Sequence, residues 1–336
     1  MSRRGWRDMD ESDVRVRPGR GSSRPRSKRR PAHADAEEAM VVAVDRGRWT
    51  CALNDDPNHL VTAMRAKELG RTPIVVGDRV SLVGDTSGRP DTLARIVRVA
   101  ERSSVLRRTA DDTDPYERVV VANAGQLIIV SSLADPPPRP GLIDRCLVAA
   151  YAGGLDPVLC LTKSDLADPR EWIDVYSALD LPVLATRVDA GIDELRQQLS
   201  GRVSGLVGHS GVGKSTLVNR LVPAADRATA QVSGSGKGRH TSTSMVALSL
   251  PEPDRGWVVD TPGIRSFGLA HVTANDVIEA FEGFSARAEE CPPNCGHLGG
   301  SEDPECTLDA AATTQRDVEQ LASLRRLLRS RAGREP

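Results

Sequence analysis

Residues 208–216 read GHSGVGKST. The pattern G-x-x-x-x-G-K-[ST] lets a backbone turn tightly and aim successive N–H groups at phosphate oxygens. Gly208, His209, Ser210, Gly211, Val212, Gly213, Lys214, Ser215 and Thr216 are therefore candidate phosphate-cradling positions. Lys214 is expected to reach the β- and γ-phosphates of a nucleotide, and the Ser215 hydroxyl to ligate Mg²⁺. The helix that should follow adds its positive N-terminal end.

Two further motifs complete a nucleotide site. Residues 260–263 read DTPG after an apolar run at 257–259. An Asp at the end of such a strand is placed to hold a Mg²⁺-bound water, and the Gly263 amide to sense a γ-phosphate. Residues 162–165 read TKSD, again after an apolar run. Guanine offers two donors on one edge, and a single carboxylate accepts both. Adenine offers no such pair, so Asp165 selects guanine by the penalty of a buried acceptor left unpaired. Thr162, Lys163, Ser164 and Asp165 form the candidate base site, with Lys163 along the ring. Lysine is scarce here, five residues among 45 basic ones. It nonetheless stands in both motifs, where a compact ammonium fits and a planar fork does not.

Between Thr216 and Asp260 lies the glycine-dense run 233–243, SGSGKGRHTST. A hydroxyl here, Thr241 or Thr243, is what a first switch loop needs to complete a Mg²⁺ shell when γ-phosphate is present. Thr241 is carried forward as that ligand. Residues 184–186 and 191–195 read as a strand and loop closing over the base.

These motifs need a scaffold. From Arg118 onward, apolar strand-like runs (119–122, 126–131, 157–161, 183–186, 203–207, 257–260) alternate with helical periodicity (140–152, 172–179, 192–199). That alternation predicts a parallel sheet with helices on both faces. Before it, residues 39–108 hold short Val-rich runs at 40–53, 59–64, 78–83 and 93–99, separated by turn signals. About five short strands in such a span predict a small closed barrel of the OB type. Arg46, Arg48, Arg65, Lys67 and Arg71 are its candidate RNA-facing residues. The first 36 or so residues are polar, Pro-containing and Arg-rich, and cannot bury enough surface to order themselves. Their basic run, 24–30, would contact RNA phosphates or simply stay solvated. At the other end, 314–331 carries Val318, Leu321, Leu324, Leu327 and Leu328 as one helical stripe. Arg325, Arg326, Arg329 and Arg331 crowd its end, to reach RNA or to complement the helix C-terminus. The expected division is 1–38 basic tail, 39–108 OB-fold domain, 109–273 GTPase domain and 274–336 helical domain.

Composition excludes little and bounds much. The 336 residues are 39% apolar and only 3% aromatic, so the core must be built from Val, Leu, Ile and Ala. A net charge of −1 gives no global case for nucleic-acid binding. The most apolar run, 119–130, is too short and too interrupted to span a bilayer. Asp8, Asp10 and Glu11 break any signal-peptide core, which points to the cytoplasm. Six cysteines there argue against a disulfide framework. Cys51, Cys146 and Cys160 read as small core residues. The other three cluster with His297.

The order of these motifs resembles a known family. The guanine motif comes first, then the phosphate loop, the switch threonine and DTPG, whereas ordinary GTPases place the guanine motif last. This circular permutation, behind an OB-like barrel and ahead of a Cys/His cluster, is similar to the ribosome small-subunit-dependent GTPase A (RsgA/YjeQ) family over roughly residues 39–310. The resemblance implies a GTPase that binds the small ribosomal subunit and its rRNA, assists late maturation, and is stimulated by that subunit. It implies no membrane and no DNA partner, and the chain is expected to act as a monomer with GTP/GDP, Mg²⁺ and Zn²⁺.

Cys291, Cys295, His297 and Cys306 match the family's zinc site in residue type, and three thiolates with one imidazole form an ordinary structural zinc set. The spacing departs from the family's: three residues separate the first two cysteines, and eight separate His297 from Cys306. Position 264 is Ile, where many GTPases place a water-orienting Gln. Slow intrinsic hydrolysis follows, with His240 or a ribosomal group completing the site. The competing reading is an RNA-binding assembly factor whose nucleotide is mainly structural.

Overall fold

The computed structural model describes residues 33–114, 116–223, 225, 245–261 and 268–333. The chain divides into two units, Met1–Ala34 and Asp35–Pro336, and the described strands and helices belong to the second.

Five strands form the N-terminal barrel: β1 (Glu37–Asp45), β2 (Arg48–Leu53), β3 (Leu60–Arg65), β4 (Arg79–Gly84) and β5 (Ala94–Val99). They pair in the order β1-β2-β3-β5-β4, and β4 returns to β1, so the ring closes and leaves no free edge. Alternate side chains fill it, among them Val41, Cys51, Val61, Val80, Leu82 and Ile96. The expected 40–53 run is two strands. Arg46 and Gly47 both take positive φ, 43° and 80°, which is a two-residue hairpin turn. On β1, Met40 and Val42 face the other way and join a second core.

That second core belongs to a sheet ordered β10-β9-β8-β11-β13-β12 and continuous with β1. Its strands are β8 (Gln126–Ser132), β9 (Asp156–Thr162), β10 (Val183–Ala185), β11 (Val203–Gly208), β12 (Val246–Ser249) and β13 (Trp257–Asp260). β8 is buried along its whole length, as a central parallel strand must be. The chain moves outward from β8 through β9 to β10, then returns to β11 on the other side. The carboxyl ends of β8 and β11 therefore flank a topological switch point, where open α/β sheets bind ligands.

Two details differ from the expected alternation. The 119–122 run, β7 (Arg118–Ala122), lies outside the parallel sheet and pairs with β6 (Val105–Arg108). Only residues 123–125 link β7 to β8, far too few for a parallel crossover. β12 runs antiparallel to β13 and meets β1 at Ala43–Val246, so it joins the sheet to the barrel.

Helices α1 (Pro140–Ala152), α2 (Arg170–Ser177), α3 (Ile192–Leu199) and α4 (Lys214–Leu221) serve the sheet. α1 begins with Pro at its first turn, where no N–H is missed. The C-terminal part has α5 (Ala274–Ile278), α6 (Glu282–Ala288), α7 (Leu308–Ala311) and α8 (Gln315–Arg331). Capping boxes start α5 at Thr273 and α8 at Thr314. α8 packs on α1 and α5. Leu321, Leu324, Leu327 and Leu328 are buried there, but Val318 is 50% exposed and leaves the expected stripe.

Four arginines of α8 have partners within the protein. Arg325 pairs with Asp309, Arg326 with Asp144 and Arg329 with Glu302, while Arg331 donates to the Val272 carbonyl. Among the described residues no helix is long and apolar enough to cross a membrane.

Candidate functional site

The phosphate loop leaves β11 at Gly208 and enters α4 at Lys214. Gly211 and Gly213 have φ of 86° and 88°, a region costly for other residues. A Cβ on Gly208 would sit 2.5 Å from the Val130 carbonyl, so β8 and the loop approach closely only because that position is bare. Ser215 and Thr216 are exposed on the first turn of α4.

Lys214 is buried, and its ammonium donates to Asp260 Oδ1 at 2.5 Å and to the Thr261 carbonyl at 2.6 Å. The phosphate-loop lysine and the DTPG aspartate are thus direct partners, and a phosphate must compete with Asp260 for that cation. Thr261 is fixed in turn, its hydroxyl donating to the Leu206 carbonyl at 2.5 Å.

The TKSD motif lies beside the loop. The Thr162 hydroxyl is buried and donates to the Val212 carbonyl at 2.6 Å, tying the end of β9 to the phosphate loop. Lys163 has a φ of 59°, and its ammonium donates to the Asp135 carbonyl in the loop after β8. Ser164 N–H donates to the Thr186 carbonyl at 3.2 Å, which joins the motif to the segment after β10. Asp165 is exposed beyond them. His209 turns its ring to the neighbouring Ser210 carbonyl. The motifs give no sign of the Thr162–Val212 and Lys163–Asp135 ties. His240, Thr241, Thr243, Gly263 and Ile264 lie outside the described residues.

The segment just after DTPG is held on two sides. Thr109 N–H donates to the Gly268 carbonyl, and Leu269 N–H donates to Asp112 Oδ1 at 2.9 Å. Arg331 of α8 reaches the Val272 carbonyl at 3.0 Å.

Cys291, Cys295, His297 and Cys306 converge, with one ligand atom of each within 4.8 Å of the others. A tetrahedral zinc with Zn–S bonds of about 2.3 Å sets its sulfurs about 3.8 Å apart, so the donor set fits that ion with little adjustment. His297 Nδ1 is buried without a hydrogen-bond partner among the described residues. Asp303 accepts from Gly296 N–H at 3.0 Å and Leu298 N–H at 2.9 Å, which braces the turn around His297. Burial raises the Cys295 thiol to about 12 and also raises Cys306. At Cys291 burial also acts upward, but hydrogen bonds from Thr307, Cys306 and Cys295 outweigh it and lower that thiol.

This arrangement has close counterparts. A family model described as RsgA GTPase matches residues 99–270, about half of the chain. The chain belongs to the RsgA GTPase family. It is accordingly a GTPase, a hydrolase acting on GTP. The protein named small ribosomal subunit biogenesis GTPase RsgA from Chlorobaculum parvum is 38% identical over 306 residues, covering 87% of this chain and 97% of that protein. Its namesake from Pseudomonas aeruginosa is 38% identical over 268 residues, covering 76% of each chain. Among solved structures, YjeQ from Thermotoga maritima superposes with a TM-score of 0.61 at 26% identity, over 87% of this chain and 99% of that one. YloQ, described as a circularly permuted GTPase, shares the fold with a TM-score of 0.61 at 20% identity, over 92% and 99%. The permuted motif order, the closed barrel and the Cys/His cluster are thus features of an RsgA GTPase.

Proposed function

We propose that this GTPase is a ribosome-dependent switch in late maturation of the small ribosomal subunit. The observation that carries the reading is the junction of TKSD, the phosphate loop and Asp260 at the carboxyl ends of β9, β11 and β13, in a chain whose relatives are named for small-subunit biogenesis. Asp165 reads the base, and the loop amides with Lys214 hold the phosphates. The Ser215 and Thr241 hydroxyls would hold Mg²⁺, which when bound neutralises charge between the β- and γ-phosphates. Asp260, which holds Lys214 in the structure, would help hold that ion through its carboxylate once a phosphate takes the lysine. His240 orients the attacking water, a task Ile264 cannot perform.

In this reading the barrel at 39–108 and the basic tail at 1–38 meet rRNA, 109–273 is the nucleotide switch, and 274–336 is a zinc domain held by Cys291, Cys295, His297 and Cys306. The protein works in the cytoplasm as a monomer, away from membranes and DNA. Co-sedimentation with purified small subunits tests the switch. Retention with a non-hydrolysable GTP analogue and release with GDP are expected, and equal retention in both states would contradict it. Ile264 favours a second reading, an assembly factor with a mainly structural nucleotide. It requires turnover that stays slow even with small subunits present.

A further inference from the structure

The metal ligands come from two segments, 291–297 and the residue Cys306, and something must hold the two in register. We propose that Arg325 is the positioning residue of this metal centre, a clamp that fixes both ligand segments from helix α8. The proposal rests on reading the cluster as a zinc site.

Arg325 reaches both segments at once. Its Nε donates to the His297 carbonyl at 3.3 Å. Its two terminal nitrogens donate to the two Asp309 carboxylate oxygens at 2.8 Å each, three residues past Cys306. Asp309 is itself tied to the second segment, its N–H donating to the Cys306 carbonyl at 3.4 Å. Three of the five N–H donors of one guanidinium are thereby used on the frame of the site. The fit is close: a Cβ on Gly299 would lie 2.1 Å from Arg325 Nη2, so the side chain passes where only glycine leaves room. The carbonyl it grips belongs to a histidine with a φ of 59°, a backbone state that needs external support.

The clamp has a fixed base. The next residue, Arg326, donates through Nε to Asp144 Oδ2 at 3.0 Å and lies over the Tyr176 ring at 5.0 Å. Tyr176 donates its own hydroxyl to Asp144 Oδ1 at 3.1 Å. Adjacent residues on one turn of α8 therefore grip the metal knuckle and the nucleotide-binding domain. A lysine at 325 would keep the charge but lose the planar fork that makes three of these bonds.

The test uses full-length protein, with zinc affinity read by competition against a chromophoric chelator and the visible spectrum of cobalt(II)-loaded samples alongside. Wild type is expected to take one equivalent of zinc. Arg325→Gln and Arg325→Lys should both weaken affinity about 10–100-fold. Their cobalt ligand-field bands should weaken and shift as His297 loses its fixed orientation, while guanine-nucleotide binding stays at the wild-type level. Wild type that takes up no zinc overturns the metal reading and the clamp with it. Wild type with one zinc beside an equally tight Arg325→Gln, or full rescue by Arg325→Lys, overturns the clamp alone. Should neither variant fold, Asp309→Asn removes the fork's partner and leaves Arg325 in place. A weaker zinc site supports the clamp there, and an unchanged one overturns it.

Discussion

The nucleotide pocket and the Cys/His knuckle are both built for charged ligands, but they treat their own polar groups in opposite ways. In the pocket the cations have internal partners: Lys214 binds Asp260 and the Thr261 carbonyl, and Lys163 binds the Asp135 carbonyl. A ligand enters by exchanging partners, which keeps the net change small and the binding reversible. In the knuckle four donors converge on one another, and His297 Nδ1 has no protein partner among the described residues. Such a set gains most from an ion that stays. On the proposed reading, the difference separates an exchangeable substrate from a resident structural metal within one chain.

The sharpest way to break that division is at the joint between the two regions. Arg326→Gln leaves the Asp144 carboxylate fully buried without its cation, and should cost about 3–5 kcal/mol of stability, read by denaturant unfolding. Inside the pocket, Lys214→Ala should lower GTP turnover about 10²–10³-fold, measured by phosphate release, and leave zinc content unchanged. A fall in zinc would show that the two sites are not separate. Asp165→Asn should weaken GTP affinity about 10–150-fold, by equilibrium titration, with little effect on ATP. The smallest effect belongs to the frame: Thr314→Ala removes the cap of α8 and should cost about 1 kcal/mol without altering turnover per folded molecule.

What could be read from sequence depends on how local each feature is. The phosphate loop, TKSD and DTPG are short, their chemistry depends on contiguous residues, and each sits at a strand end as their flanking apolar runs imply. Helices α1 and α3 fall where periodicity places them: Ile143 and Leu147 of α1, and Leu195 and Leu199 of α3, are buried four positions apart. The closed barrel was legible from strand spacing, though β1 and β2 merged because a two-residue turn leaves little mark. The residues that hold the sites were not legible. Thr162 meets Val212 across 50 positions, Arg325 meets His297 across 28, and Arg326 meets Asp144 across 182. No local pattern records such pairings. The α8 arginines read as reaching RNA or complementing the helix C-terminus, and their ties to Asp309, Asp144 and Glu302 leave no local mark in the sequence. The antiparallel β12 was missed for a related reason: four residues give too short a run to reveal its direction.

GTP turnover, followed by phosphate release with purified small subunits, purified large subunits or neither, tests the central claim most directly. Slow turnover alone, little change with large subunits, and a rise of at least about tenfold with small subunits are expected, since a ribosomal group completing the water-positioning geometry should supply about 1.4 kcal/mol or more, one decade in rate. Turnover that is unchanged by small subunits, or raised equally by both, would contradict that claim.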